Sequence, residues 1–306
     1  MSRLEAALHR ATTGFVVEPT DPGAAEPEPA FDLEPEPAPE PAPERMLVRH
    51  ETTGPHRLDV VDTPAGEQAL DVRFQALNPA HAEKLITSES LPASVREQFR
   101  RLGAMLHHAQ AANGMKLLMV SSAAPNEGKT LTATNIALTL SESYQRRVLL
   151  IDGDLRRPSL DHVFQVPSVF GLSEALTSEP ERRAALIQIS KQLWLLPAGK
   201  PNPDPMSALT SDRMRHLLVD AAASFDWVII DTPPVGILTD ANLLGSIVEA
   251  AILVVRAGKT SAVEVQRAVQ ALGRDKILGV VLNQAEKRYS SEADSYYYAS
   301  YYSSKR

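Results

Sequence analysis

Six short, unbroken apolar runs constrain the fold of this chain more than any other feature of its sequence. Runs that do not alternate with polar residues are typical of strands buried on both faces, as in a parallel sheet. The six are KLLMV at 116–120, VLLI at 148–151, LWLL at 193–196, WVII at 227–230, AILVV at 251–255 and ILGVVL at 277–282. Segments with helical patterning lie among them at 128–143, 211–224, 240–248 and 261–272. This alternation predicts an α/β domain with a doubly wound, mostly parallel sheet flanked by helices.

The residues before the first run differ from the domain in composition. Residues 18–44 hold nine acidic residues, nine prolines and no Lys or Arg. Because proline removes backbone donors and like charges repel, we predict an extended acidic spacer there. Once its nine charges are taken from the chain's total of −7, the remainder carries +2. We therefore predict a largely disordered extension over 1–84, a folded domain over 85–285 and a flexible tail over 286–306.

Two absences from the sequence narrow the class of protein. The chain has no cysteine, which excludes disulfides and thiolate metal sites. No apolar run approaches the ~20 residues that are needed to span a bilayer. We expect a soluble protein that can still dock on a membrane partner.

The first apolar run leads into SSAAPNEGKT at 121–130, which resembles the phosphate-binding pattern G-x-x-x-x-G-K-[ST]. Ala123 stands where the first glycine belongs, a change that is tolerated if the turn before Pro125 does not require a positive φ. Backbone amides at the start of the following helix would then cradle phosphate, with Lys129 neutralising it and Thr130 binding Mg²⁺. The nucleotide-binding residues predicted from this loop are Pro125, Asn126, Glu127, Gly128, Lys129 and Thr130.

Carboxylates follow two other apolar runs. Asp152 and Asp154 come directly after the second run, and Asp231 follows the fourth. Each has an ordinary explanation when taken singly, as a solvated loop, a helix cap or the start of a turn. In an open parallel sheet, however, the carboxyl ends of the strands share one edge, where ligands bind. A lysine, a hydroxyl and three carboxylates at that edge are the groups that Mg·ATP chemistry requires.

The chain ends in an unusual concentration of tyrosine. Six of its seven tyrosines lie in the last eighteen residues, at Tyr289, Tyr296, Tyr297, Tyr298, Tyr301 and Tyr302. Tyrosines beside basic residues can stack on single-stranded nucleic acid, but Lys305 and Arg306 are the only cations at the terminus itself. We therefore predict no nucleic-acid partner.

The motifs together resemble those of bacterial tyrosine kinases over about residues 85–306. SSAAPNEGKT is similar to their Walker A loop, VLLIDGDLRRP to Walker A′ and FDWVIIDTPPV to Walker B. The resemblance implies a MinD/ParA-like P-loop fold, ATP and Mg²⁺ as cofactors, and autophosphorylation of the C-terminal tyrosines. It also implies regulation of capsule or exopolysaccharide synthesis, at the inner membrane, through a membrane-embedded chain-length-determining activator. A cognate tyrosine phosphatase and a ring-like homo-oligomer that dissociates on phosphorylation complete the expected partners.

Two departures from the family pattern bear on these expectations. We predict a helix from Pro92 to about Ala112, ended by Gly114, and this helix carries the family's self-association motif E-x-x-R-x-x-R. The motif begins at Glu97 and Arg100, but Gly103 replaces its second arginine. The transmembrane activator region that is fused to many family members is not found in these residues. We therefore expect the activator to be a separate polypeptide.

The resemblance assigns roles that the sequence leaves partly open. Thr130, Asp154 and Asp231 are the expected metal-site residues, held directly or through water. Asp152 is the preferred acceptor of the tyrosine proton, although the sequence does not separate it from Asp154. Asn283 is expected on the adenine side or as a turn former. Arg256 and Lys259 are expected at the phosphates or in solvent.

The main alternative function is a positioning ATPase of the ParA/MinD type, with water as the nucleophile. Those proteins carry a lysine five residues before the P-loop lysine, at the position where this chain has Ala124. The tail also lacks the apolar stripe of a C-terminal membrane helix. Both observations favour the kinase.

Overall fold

The structure is a computed structural model that describes residues 77–166, 170–177, 184–235 and 239–285. The chain divides into two units, Met1–Pro55 and His56–Arg306, and every described residue lies in the second. The predicted acidic spacer over 18–44 and the six C-terminal tyrosines lie outside the described residues.

The domain is built on a seven-stranded sheet with the order β3-β4-β2-β5-β1-β6-β7. Six strands are parallel, and β3 alone runs antiparallel to its neighbour β4. The strands are β1 Leu117–Ser122, β2 Val148–Asp152, β3 Ile187–Ser190, β4 Leu193–Leu196, β5 Trp227–Asp231, β6 Ala250–Arg256 and β7 Ile277–Asn283. All six predicted strands are confirmed with bounds shifted by one or two residues at most, whereas β3 was not predicted.

Helices cover both faces of this sheet, as predicted. They are α1 Pro79–Ala82, α2 Ala93–Asn113, α3 Lys129–Leu138, α4 Leu160–Phe164, α5 Leu172–Thr177, α6 Met206–Leu209, α7 Asp212–Ser224, α8 Thr239–Ile247 and α9 Ala262–Leu272. The helix predicted over 128–143 is divided, because a π-helical turn at Thr139–Ser143 follows α3. The α2 helix ends where expected, with Gly114 in the left-handed conformation at φ 69°.

The core consists of two apolar layers, one on each face of the sheet. Alternate residues of β2 and β5 divide between them: Leu149 and Ile230 pack on one side, and Leu150 and Ile229 pack on the other. The central strands β1, β2, β5 and β6 are therefore buried on both faces, which is why their sequences read as unbroken apolar runs. The edge strand β7 differs, because Leu278, Val280 and Leu282 on one of its faces are exposed. None of the described helices is long and apolar enough to cross a membrane.

The N-terminal contacts of the domain begin before residue 85, where we placed the boundary. The Asn78 side chain caps α1, and the Asn78 amide donates to the Val163 carbonyl at 3.1 Å. The buried Asn135 of α3 holds the next turn, since it accepts from the Ile86 amide at 2.8 Å and donates to the Lys84 carbonyl at 3.1 Å. Residues 77–84, which we assigned to the extension, are thus attached to the domain by hydrogen bonds that sequence patterning does not reveal.

Gly103 has a packing reason that the sequence did not show. It lies on the buried side of α2, and a Cβ at this position would be 2.8 Å from Cε2 of Tyr144 and 2.9 Å from Cγ2 of Thr139. The Tyr144 hydroxyl also donates to the Arg100 carbonyl at 3.0 Å, which fixes the ring against the helix. The second arginine of the family motif therefore has no room at residue 103.

Candidate active site

The loop after β1 adopts a tight phosphate-binding turn without a first glycine. Asn126 and Gly128 have positive φ values of 61° and 88°, whereas Ala123 is buried and is not among the residues with positive φ. The expectation that alanine is tolerated at residue 123 is therefore confirmed. Gly128 is required for a second reason, because a Cβ there would lie 2.2 Å from Nδ2 of Asn283.

Lys129 is the cation at the centre of the site. Its Nζ lies 3.3 Å from Oδ2 of Asp154 and 3.5 Å from Oδ1 of Asp231. Burial by itself would lower the pKa of Lys129, but the nearby carboxylates of Asp231, Asp154 and Asp152 outweigh that effect and hold the pKa above its ordinary value. The Lys129 ammonium stays charged and bridges the carboxylate of Asp154, which follows β2, and that of Asp231, at the end of β5.

Thr130 and Asp231 form the second part of the site. The Thr130 hydroxyl donates to Oδ2 of Asp231 at 2.6 Å and lies 3.2 Å from Oγ of Ser159. Asp231 is fully buried at the end of β5, and burial raises its pKa. Its other oxygen, Oδ1, makes the ion pair with Lys129 at 3.5 Å and accepts no hydrogen bond within the part of the chain that the structure describes. An acceptor of this kind is suited to a water or an ion brought by a ligand.

Asp152 lies behind this pair and organises the loop after β2. Its Oδ2 accepts from the amides of Ser159 and Leu160, both at 2.9 Å, and its Oδ1 accepts from the Asp154 amide at 3.2 Å. Burial, followed by the charge on Asp231, raises the pKa of Asp152 to about 7. Asp154 is more accessible, since it lines the cavity beside the P-loop, whereas Asp152 does not.

Glu127 and Asn283 connect the P-loop to two other strand ends. The buried Glu127 accepts from the Ala124 amide at 2.9 Å through Oε2, and its Oε1 accepts from the Thr260 hydroxyl. Asn283, at the end of β7, donates to the Glu127 carbonyl at 2.8 Å. The sequence placed Glu127 in the P-loop but did not show that its side chain fastens the loop after β6. The sequence around Glu127, which directly precedes Gly-Lys-Thr, gives no signal of that contact.

The cations predicted at the end of β6 do not join the cluster. Arg256 contributes its backbone amide, which lies 3.1 Å from the Thr260 hydroxyl and 3.5 Å from Oε1 of Glu127. Lys259 is exposed, and neither residue lines the cavity at the P-loop.

A cavity of about 860 Å³ opens in front of the P-loop. Its size is that of a small-molecule site. We call the P-loop residues and Asp154 the inner half of its lining. The outer half is the rest of the lining, which comes from α1, from the loop after β2, from α4 and from the loop after β5: His81, Arg156, Arg157, Ser159, His162, Val163, Pro233 and Pro234. The sequence analysis did not single out this second group, because its members come from segments far apart in the chain.

The residues present fit a nucleotide with a divalent cation. The site holds three carboxylates, those of Asp152, Asp154 and Asp231, and one ammonium, that of Lys129. When all are ionised, the excess negative charge is one that a divalent cation would neutralise. Among the described residues, no group of three or more His, Cys, Asp or Glu side chains could hold a metal ion by itself. This suits Mg²⁺, which in nucleotide sites takes few protein ligands and several from phosphate and water.

Comparison with known proteins places this geometry in a family. Residues 114–301 match the family model described as ParA: NUBPL iron-transfer P-loop NTPase. The tyrosine-protein kinase YwqD of Bacillus subtilis is 35% identical over 206 residues, which are 66% of this chain and 85% of the relative. The tyrosine-protein kinase etk of Escherichia coli K12 is 37% identical over 206 residues, but this chain spans only 28% of its length.

Solved structures agree with these relatives. The kinase domain of the Escherichia coli tyrosine kinase ETK aligns with a TM-score of 0.57 and 34% identity, over 63% of this chain and 78% of that one. The chimerical protein CapA2B2 aligns with a TM-score of 0.60 and 28% identity, over 67% of this chain and 91% of that one. The positioning-ATPase alternative has less support, because the relatives at this level of identity are named as kinases. The chain belongs to the bacterial protein-tyrosine kinases that are built on a ParA-type P-loop domain.

Proposed function

We propose that this kinase transfers the γ-phosphoryl group of ATP to tyrosines of its own C-terminal segment. The observation that carries the proposal is the gathering of Lys129, Thr130, Asp154 and Asp231 around the P-loop, within 3.5 Å of one another in pairs. The acceptors are the six clustered tyrosines named above. When bound, Mg·ATP supplies the transferable group and much of the charge neutralisation that phosphoryl transfer needs.

The chain's own groups divide the work as follows. Lys129 exchanges its carboxylate partners for phosphate oxygens, and the amides of the P-loop hold those oxygens at the start of α3. Thr130, Asp154 and Asp231 would hold the metal ion directly or through water. Asn283 approaches the nucleotide from the end of β7, where it already contacts the P-loop.

The transfer forms a bond between the tyrosine oxygen and the γ-phosphorus. It breaks the bond from that phosphorus to the β–γ bridging oxygen, whose electron pair leaves with ADP. The phenolic proton passes to a carboxylate, for which Asp152 is the proposed acceptor. Its pKa of about 7 matches the operating pH of a general base. Asp154, which is closer to the cavity, is the competing candidate.

The proposed partners follow from the family. We propose a membrane-embedded chain-length determinant of polysaccharide synthesis as the activator, which recruits this chain to the cytoplasmic face of the inner membrane. A cognate phosphatase would reverse the modification. Since each phosphate adds about −1.5 to −2 charges near neutral pH, heavily modified chains should repel one another and leave a ring. Sedimentation of phosphorylated and phosphatase-treated protein tests this, and equal masses would contradict it.

Replacing the acceptors tests the core of the proposal. We expect the variant in which all six C-terminal tyrosines are phenylalanine to bind ATP as the wild type does and to lose autophosphorylation. Undiminished phosphotyrosine in that variant would show that the acceptors lie elsewhere.

A further inference from the structure

The outer half of the cavity lining differs in chemical character from the inner half. The described residues that line the whole cavity include one carboxylate, that of Asp154, which is paired with Lys129. The outer half is lined instead by two guanidinium groups and two imidazoles, those of Arg156, Arg157, His81 and His162. This half presents hydrogen-bond donors and positive charge to whatever enters it.

The two arginines differ in whether hydrogen bonds hold their side chains in place. Arg156 donates to the Pro203 carbonyl through Nη1. Within the described residues the hydrogen bonds of Arg157 are those of its backbone, whose amide donates to Oδ1 of Asp154 at 3.1 Å, while its side chain is exposed at the cavity. Arg157 can therefore turn toward a ligand without breaking a contact that holds the loop.

His81 shows an unmet hydrogen-bonding capacity at the same place. Its Nδ1 is buried and has no hydrogen-bond partner among the residues that the structure describes. The residue sits in α1, which the Asn78 amide fastens to the Val163 carbonyl, and Val163 also lines the cavity. Because no described residue bonds to Nδ1, the ring can turn toward a ligand in the cavity without losing a hydrogen bond at that atom.

We propose that the outer half of the cavity is the acceptor subsite and that it selects tyrosines flanked by negative charge, either carboxylates or phosphotyrosines already formed. This inference rests on the proposed kinase function. The chain's own acceptor segment has the required chemistry, because Glu292 and Asp294 precede the cluster at Tyr296–Tyr298. The rings of Pro233 and Pro234 give the phenol ring an apolar wall. The hydrogen-bond donors of His81 and Arg157 bind the flanking anions.

The subsite implies an order of events. The first phosphate adds about −1.5 to −2 charges beside the remaining tyrosines. Hydrogen bonds between arginine and phosphate are roughly twice as strong as neutral ones. Each transfer therefore makes the next tyrosine of the cluster a better substrate, so that phosphorylation accelerates after the first event.

Peptide kinetics test this subsite. The enzyme is the full chain with its six C-terminal tyrosines changed to phenylalanine, so that only added peptide accepts phosphate. Three forms of a peptide of residues 290–303 are compared: the native form, the Glu292→Gln/Asp294→Asn form, and the native form carrying phosphate at Tyr301. We expect the peptide KM to rise about fivefold to tenfold when the acids are removed and to fall by a similar factor when phosphate is present.

Two variants test whether Arg157 and His81 cause the differences in peptide KM. Arg157→Gln and His81→Ala should make the three peptides nearly equal and should leave the KM for ATP unchanged. Arg274→Gln is the matched control, because Arg274 is exposed just before β7, at the opposite end of the sheet from the cavity. Equal KM values for the three peptides with the unsubstituted cavity, or equal effects of Arg274→Gln and Arg157→Gln, would overturn the subsite while the kinase stands. Failure of the wild-type chain to phosphorylate its own tail and every peptide would instead overturn the proposed function.

Discussion

The two halves of the cavity are made in different ways. The inner half, taken together with Asp152 and Asp231 behind it, lies at or just beyond the ends of β1, β2 and β5, so the sheet itself sets its position. The carboxylates of Asp152, Asp154 and Asp231 are all buried. The outer half comes from α1, a loop, α4 and a pair of prolines, and its cations are partly or fully exposed. The difference fits the proposed division of roles, in which residues at the strand ends carry out the transfer and the loops and the N-terminal helix select the acceptor.

The largest effect should come from the cation of the inner half. Lys129→Met removes the ammonium that lies between Asp154 and Asp231. We expect autophosphorylation to fall about 10³-fold, because Lys129 is the cation placed within the P-loop to neutralise the charge that develops on the transferred phosphate. Quantitative phosphotyrosine detection after incubation with ATP and Mg²⁺ measures this. An unchanged thermal unfolding curve serves as the control for folding. Retained activity would mean that the inner half is not where transfer occurs.

The pH dependence of the inner half should separate its two candidate bases. A base accepts a proton only when ionised, so with a pKa of about 7 for Asp152 the wild-type rate should rise from pH 6 to pH 8. Asp152→Asn should lower kcat by about 10²-fold and remove this rise. If Asp152→Asn keeps the rise and Asp154→Asn abolishes it, Asp154 is the base.

A smaller effect is expected at the contact that fastens the P-loop to the loop after β6. Glu127→Ala leaves the Ala124 amide and the Thr260 hydroxyl without their acceptor, so the KM for ATP should increase about tenfold. Glu127→Gln should restore most of the affinity, because the amide can accept from Ala124 and donate to Thr260. ATP titration of both variants measures the difference. Equal losses in the two variants would indicate that the charge, rather than the hydrogen bonding, is what matters.

The smallest effect on activity should follow from a change outside the cavity. Gly103→Ala brings a methyl group within 3 Å of Tyr144 and Thr139, so the free energy of unfolding should fall by about 1–3 kcal/mol. The KM values for ATP and peptide should not change. Gly279→Ala is the matched control, since a Cβ at that position meets nothing within 4 Å. Denaturant unfolding measures both, and a shift in substrate KM for Gly103→Ala would link α2 to the cavity.

The sequence predicted the inner half because its residues obey a simple geometric rule. Parallel strands end at one edge, so Lys129, Asp152 and Asp231 could be brought together from three apolar runs alone. The strand β3 escaped prediction because IQIS is short and alternates polar with apolar residues at the antiparallel edge of the sheet.

The outer half could not be predicted in the same way. His81 lies at the cavity because hydrogen bonds attach the residues on either side of it to the domain: Asn78 binds Val163, and Asn135 binds Lys84 and Ile86. Hydrogen bonds between residues so far apart in the chain leave no periodic signal. The contacts of Glu127 are hidden for the same reason, since Thr260 lies far along the chain.

Mapping of phosphate by mass spectrometry, after the purified wild-type chain is incubated with ATP and Mg²⁺ and the cytoplasmic segment of an activator, tests the central claim most directly. We predict phosphate on the cluster Tyr296–Tyr302, with none in the Lys129→Met variant. Turnover of ATP without any phosphotyrosine in that cluster would contradict the account and would favour an ATPase that uses water as its nucleophile.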